Sequence, residues 1–242
     1  MRIPRFYESQ PLQLNQEIDL SDDVVQHISR ALRMRPEEHV ILFNGEKIEY
    51  TAELLVVEKR TVRARLIKAL ASNTESPLQV SIGQTLSRGE RMDFAVQKST
   101  EMGVQTITPL FSERCEVKLP KERQAKRIKH WQQIAISACE QCGRISPPSI
   151  RTPSQLEKWL AEQTADLKLI LHHHSEQPLQ QMSPPSSVAL LIGPEGGLTE
   201  TEVELAISYG FKPLTLGPRV MRTETAPIAA LTLLNYLWGD LS

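Results

Sequence analysis

Val188-Ala189-Leu190-Leu191-Ile192-Gly193-Pro194-Glu195-Gly196-Gly197-Leu198-Thr199-Glu200-Thr201-Glu202 decides the fold of this chain. Its first residues are uninterruptedly apolar, the pattern of a strand buried on both faces of a parallel sheet. Three glycines follow within five positions. Glycine permits unusual backbone angles and lets a main chain approach a ligand closely. Thr199 with Glu202 three positions on is a capping box, so a helix begins there. Strand, glycine loop and helix therefore succeed one another with no linker.

The same unit recurs outward from this stretch. Residues 167–171 are a second apolar strand and 212–216 a third. The third runs into Gly217-Pro218-Arg219-Val220-Met221-Arg222-Thr223-Glu224-Thr225 and then a helix over 226–238. Thr225 is the natural cap, and Pro227 is tolerated in the first turn. Upstream, 78–82 and 106–111 read as strands. Residues 91–101 read as a helix, and 121–142 as a long one striped by Ile128, Trp131, Ala135, Ala138 and Cys142. Leu156, Trp159 and Leu160 mark a shorter helix. Alternating strands and helices predict an α/β fold on a largely parallel sheet. The helix over 226–238 is apolar almost all round and needs cover on several sides, which suggests a subunit interface.

The first 70 residues differ. Residues 40–43, Asn44-Gly45 and 47–52 form a hairpin pattern. Residues 61–66 alternate as a half-buried strand should. A short helix is expected over 21–33, capped by Ser21 or Asp22. This is a small barrel-like β domain. Polar residues at 71–77 place the linker there, giving domains 1–72 and 73–242.

The chain has 242 residues and is 40% hydrophobic and 24% charged, enough for a sizeable core. It has no apolar run of membrane-spanning length. Its beginning, Met1-Arg2-Ile3-Pro4-Arg5, lacks the apolar stretch of a signal peptide. Three cysteines do not make a disulfide framework, and a reducing cytoplasm is the expected setting. The net charge of −1 hides an asymmetry: 83–151 carry 12 basic and 7 acidic residues, and 152–242 carry 5 and 10. The basic run Lys118, Lys121, Arg123, Lys126, Arg127 and Lys129 suits a polyanion, and equally a solvated helix face.

Two glycine-proline loops after two apolar strands are the candidate site, since ligands of open α/β sheets bind at the carboxyl ends of strands. The strands are taken as neighbours, so that the loops converge. Arg222 and Glu224 stand before an apolar helix, at an expected buried junction where unpaired charge is costly. The glycine spacing matches neither the dinucleotide fingerprint nor a phosphate loop. His172-His173-His174 lacks ligand partners, and consecutive residues of a strand point different ways. Cys139 and Cys142 read as core cysteines within a helix. No metal is expected.

Together with Ser87-Arg88-Gly89-Glu90-Arg91-Met92, Glu113-Arg114-Cys115, Glu140-Gln141-Cys142-Gly143-Arg144 and His27-x-x-x-Ala31-Leu32-Arg33-Met34, these loops resemble the RsmE family. Its members are bacterial methyltransferases of the SPOUT superfamily that act on uridine N3 of small-subunit (16S) ribosomal RNA. The resemblance spans the chain. It implies a PUA-like RNA-binding β-barrel over 1–72. It also implies a SPOUT α/β methyltransferase domain over 73–242 with a deep trefoil knot, S-adenosyl-L-methionine as cofactor, and a homodimer. Carried onto this chain, three loops make the cofactor pocket. They contribute Leu171 and His172; Ile192, Gly193, Pro194, Glu195, Gly196 and Gly197; and Leu216, Gly217, Met221, Thr223, Thr225 and Ala226. The expected partner is small-subunit ribosomal RNA, in the assembled 30S subunit.

Uridine N3 carries a proton, so its neutral form is a poor nucleophile. Each unit by which a site lowers the pKa of that imide needs about 1.4 kcal/mol of differential stabilisation of the anion. Arg222 is the first candidate for holding the anion and Arg88 the second. Glu224 either accepts the proton or orients the arginine. Arg2, Arg5, Arg30, Arg33, Arg35, Lys118, Lys121 and Arg123 are the expected RNA contacts, and Arg5-Phe6-Tyr7 reads either as a stacking site or as an edge strand. Other readings are ribose 2′-hydroxyl methylation, an RNA-binding protein without enzymatic activity, and a mononucleotide-binding enzyme.

Overall fold

The computed structural model describes residues 3–172 and 179–241. The chain forms two compact units, one of residues 1–75 with 139–147, the other of 76–138 with 148–242.

In the first unit five strands form one sheet in the order β1-β3-β4-β5-β2. They are β1 (Arg5–Tyr7), β2 (Glu17–Asp19), β3 (His39–Phe43), β4 (Ile48–Val57) and β5 (Val62–Ala71). Only the β1–β3 pair is parallel. Alternation decides the inner face: Tyr50, Ala52 and Leu54 of β4 and Val62, Ala64 and Leu66 of β5 are buried. On the outer face Arg63 and Arg65 pair across the ladder with Asp19 and Glu17. Register shifts in β4 bend the sheet around its core. Val24, Val25 and Ile28 fill the inner face. They come from α1 (Asp22–Gln26) and a π-helical turn, His27–Leu32, so the helix expected over 21–33 widens midway. Ser21 is its cap position, with no side-chain bond. Arg144, from the 139–147 segment, is buried against Glu75 at 2.6 Å.

The second unit is an all-parallel sheet in the order β12-β10-β11-β6-β7-β8, with β9 also on β7. Its strands are β6 (Gln79–Thr85), β7 (Thr106–Phe111), β8 (Ser149–Ile150), β9 (Ser154–Gln155), β10 (Leu167–Leu171), β11 (Ser187–Ile192) and β12 (Lys212–Leu214). The helices are α2 (Arg91–Glu101), α3 (Lys121–Cys142), α4 (Leu156–Ala161), α5 (Glu200–Ser208) and α6 (Ala226–Trp238). Two apolar layers flank the sheet. One joins α2, α3 and α6 through Met92, Val96, Trp131, Ala230, Leu231 and Leu234. The other joins α4 and α5 through Leu156, Trp159, Leu160 and Ala206. Gly83 on β6 makes the second possible: a Cβ there would lie 2.7 Å from Leu110 and 2.8 Å from Trp159.

Two expectations are corrected here. The strands before the two glycine-proline loops, β11 and β12, are not neighbours, because β10 lies between them. Period alone cannot reveal strand order. Cys142 is exposed, because the stripe it continues has left the core by the last turn of α3; Cys139 alone of that pair is buried.

Candidate active site

Parallel pairing brings the carboxyl ends of β12, β10, β11 and β6 to one edge. There the chain turns three times beside one cleft of about 670 Å³. Leu171 and His172 end β10, the 193–198 loop follows β11, and residues 215–225 follow β12. The insertion of β10 between the other two strands gives the cleft its floor. The first residue beyond β10 is tied to the β12 side through both its backbone groups: His172 N–H donates to the Leu214 carbonyl, and the Thr215 hydroxyl donates to the His172 carbonyl, each at 3.0 Å.

Side-chain hydroxyls fix the loops to the sheet. Thr85 on β6 donates to the Ile192 carbonyl at 2.8 Å. Thr223, buried, donates to the Gly193 carbonyl at 2.9 Å and accepts from Gln84 Nε2 at 3.1 Å. Thr199 caps α5 in the expected reciprocal box with Glu202. Glycine is required at two turns. Gly197 has φ +70° and Gly217 has φ +77°, both in the left-handed region. A Cβ at Gly193 would press on Leu198 at 3.1 Å.

Of the residues assigned to the cofactor from sequence, all but one line this cleft, as do Arg222 and Glu224. The exception is Thr225, which sits exposed at the start of α6 without a side-chain cap bond. Arg222 and Glu224 form no ion pair with each other among the described residues, and Arg222 is exposed rather than buried. Glu224 is half-buried, and its Oε2 is enclosed with no hydrogen-bond partner. Arg88 does not line the cleft. It meets Glu116 at 2.9 Å in an exposed pair, and it borders a second hollow.

Glu195 joins the wall of the cleft to the first turn of α2. Arg91 donates to it at 2.8 Å. Partial burial pushes its carboxyl up. Hydrogen bonds from its own N–H, the Arg91 guanidinium and the Arg88 N–H outweigh this and hold it below the ordinary carboxylate range.

Sequence reasoning missed Arg91, Arg114, Leu198, Leu214 and Thr215, which also line the cleft, as do Arg219 and Val220 within the expected 216–225 loop. Arg91 and Arg114 lie inside motifs already singled out, so the signal was present. Val220 is 80% exposed, an open apolar side chain that burial patterns cannot flag.

The basic candidates divide. Arg30, Arg33, Arg35, Lys118, Lys121 and Arg123 are all exposed, and Arg2 lies outside the described residues. Arg5 is corrected: its guanidinium is committed to Glu49 at 2.6 Å and to the Gly143 carbonyl at 3.1 Å, and lies over the Phe43 ring. Phe6 is buried and Tyr7 packs edge-on against Phe43, so this segment is a structural edge strand. His173 and His174 lie outside the described residues. Among the described residues no group of three His, Cys, Asp or Glu side chains gathers as a metal site.

Comparisons with known proteins agree with this architecture. Residues 74–235 match the RNA methyltransferase domain family, and 20–67 match the RNA methyltransferase PUA domain. The ribosomal RNA small subunit methyltransferase E of Buchnera aphidicola (strain Sg) is 40% identical, over 100% of this chain and 99% of its own. A Legionella pneumophila methyltransferase, solved with bound S-adenosylmethionine, superposes with a TM-score of 0.97 at 45% identity, covering 100% of both chains. The Neisseria gonorrhoeae ribosomal RNA small subunit methyltransferase E, also solved with S-adenosylmethionine, gives 0.94 at 41%, again over 100% of both. Likeness of this extent, over both units at once, makes the chain a member of the ribosomal RNA small subunit methyltransferase E family.

Proposed function

We propose that this protein transfers a methyl group from S-adenosyl-L-methionine to N3 of a uridine in small-subunit ribosomal RNA, within the assembled 30S particle. The observation that carries the reading is the three-loop cleft with Arg222 and the unpaired Glu224 oxygen on its wall. The cleft suits the cofactor. Its volume falls in the range of small-molecule sites, about 300–1,000 Å³. Glycines at 193, 196, 197 and 217 let main-chain groups come close. Residues of the three loops would hold it: Leu171 and His172, 192–197, and Leu216, Gly217, Met221, Thr223 and Ala226.

Bound S-adenosylmethionine supplies a methyl group on a sulfonium, open to attack by a nucleophile. The protein must make the imide nitrogen such a nucleophile. Arg222 has no carboxylate partner among the described residues. It is suited to bind an imide oxygen as negative charge grows there. Glu224 is suited to take the N3 proton, or to orient Arg222. The cleft carries four arginines and two glutamates, a balance that favours an anionic substrate.

The first unit is the RNA-binding module in this reading, with Arg30, Arg33 and Arg35 on its surface. Lys118, Lys121 and Arg123 add phosphate contacts from the second unit. The homodimer is supported by α6, whose Tyr236 is 61% exposed, and by Val220. The trefoil knot is supported by family membership. No described helix is long and apolar enough to cross a membrane; a ribosomal RNA substrate places the action in the cytoplasm in this reading.

The test uses small ribosomal subunits from cells lacking this protein. They are incubated with the protein and methyl-labelled S-adenosylmethionine, and the RNA is digested to nucleosides. Label in 3-methyluridine is the expected result. Label in another nucleoside, or in an alkali-resistant 2′-O-methyl linkage, discards the target. Absence of both label and cofactor binding discards the activity.

A further inference from the structure

Arg114 has no part in the chemistry above, yet its surroundings are built. The carboxyl ends of β6 and β7 open a second cleft of about 850 Å³ beside the first. The two share Arg91, Arg114, Glu195 and Gly196 as a common wall. Arg88 and Arg91 are each held by a carboxylate, Glu116 and Glu195 respectively. Arg114 meets no carboxylate among the described residues. It gives one N–H to the Gly196 carbonyl at 3.1 Å. Its stem lies along the same glycine, because a Cβ at Gly196 would sit 3.7 Å from both its Cβ and its Cδ.

The backbone beneath is pinned as well. The Cys115 thiol donates to the Leu86 carbonyl at 3.4 Å, Cys115 N–H donates to Ser112, and Glu113 N–H donates to Glu202. Ser87 and Ser112, each just past its strand, both have an enclosed hydroxyl oxygen with no partner among the described residues. The guanidinium is thus set in place with most of its N–H donors uncommitted. A planar fork of donors suits a phosphate. Arg114 is exposed, and an exposed cation suits a backbone phosphate that keeps part of its water better than it suits a charge forming in a dry reaction centre.

We propose that Arg114 binds one RNA phosphate from the wall the two clefts share; the rest of the second cleft, with Glu90, Glu113, Glu116 and Glu195 against Arg88 and Arg91, holds the chain off rather than drawing it in. This rests on the methyltransferase reading and adds to it where the RNA chain runs.

The test compares wild type, Arg114→Ala and Arg114→Lys in methyl transfer to small subunits, with cofactor affinity by calorimetry. A fluorescence titration of small-subunit RNA is run at several salt concentrations. In the alanine variant KM for subunits should rise about tenfold or more, the loss of one charge-assisted contact. Its kcat should stay within about threefold, its cofactor Kd within about twofold, and the salt slope should fall by about one phosphate. Lysine should restore the slope but only part of KM. Unchanged KM and slope would overturn the proposal. So would a cofactor Kd that weakens in step with KM, which would make Arg114 a support of the 193–198 loop. If wild type transfers no methyl group, the methyltransferase reading fails by itself; the RNA titration still decides Arg114.

Discussion

Thr223 and Gly193, 30 positions apart, are joined by a 2.9 Å bond from hydroxyl to carbonyl. The same hydroxyl oxygen accepts from Gln84 at 3.1 Å. One buried side chain thereby ties the loop after β12 to the loop after β11 and to the end of β6. It is the joint on which the shape of the cleft depends.

Thr223→Val keeps the volume and removes both bonds, leaving the Gly193 carbonyl and the Gln84 amide without it. The cost should be about 1–3 kcal/mol, read as a lower melting temperature. Cofactor affinity should fall by about tenfold, while Thr223→Ser keeps both properties. Unchanged affinity in the valine variant would mean that the cleft is held by other contacts.

Arg222→Ala should reduce kcat by about a hundredfold or more, the scale of losing one charge-stabilising donor. RNA binding should change only a few-fold. Steady-state kinetics and RNA titration on one preparation decide this. Equal losses in turnover and binding would make Arg222 a binding residue.

Gly83→Ala puts a methyl group where Leu110 and Trp159 already stand, at 2.7 and 2.8 Å. Overpacking of this kind costs about 1–3 kcal/mol. The urea midpoint should fall with an unchanged slope, and the Trp159 emission should shift. A variant as stable as wild type would show that α4 can move away freely.

Burial pushes the Cys139 thiol from its ordinary value near 9 up to about 12. The folded protein therefore keeps this proton after the unfolded chain has lost it. The contribution to stability is whole below about pH 9 and is lost as pH rises towards about 12. Cys139→Ala should flatten the alkaline fall in the urea midpoint. At pH 8 a thiol reagent should modify exposed Cys142 first. It should reach half-buried Cys115, whose thiol is also pushed up by burial, more slowly, and Cys139 only on unfolding. Fast labelling of Cys139 in the native protein would contradict the burial.

The elements of the second unit were largely legible because they are apolar at a clear period. Residues 91–101, 106–111, 121–142, 167–171 and 226–238 were read with the bounds they have in the structure. Strand order was not legible, since periodicity carries no record of neighbours, and β10 entered between two strands taken as adjacent. The cleft was legible through its glycines and prolines. The arginines that wall it, Arg91 and Arg114, reach it from the β6 and β7 ends far away in sequence. Arg5 looked like an RNA contact because sequence cannot show that Glu49, 44 positions on, already holds it. The two-residue strands β8 and β9 leave too short a pattern to read.

The first unit is made of two separate pieces of chain, 1–75 and 139–147. Glu140 accepts from the Tyr7 N–H across 133 positions, and Cys139 and Ile145 pack with Phe43. During synthesis the N-terminal sheet emerges first but lacks this last layer. It must stay incomplete while 63 intervening residues (76–138) are made, and it closes only when residue 147 is free. A gene fragment that ends after Glu75 would express the sheet with Glu75 deprived of Arg144 and Phe43 left to Arg5 and Tyr7 alone, so the unit begun first is finished only after 63 residues of the other have been made.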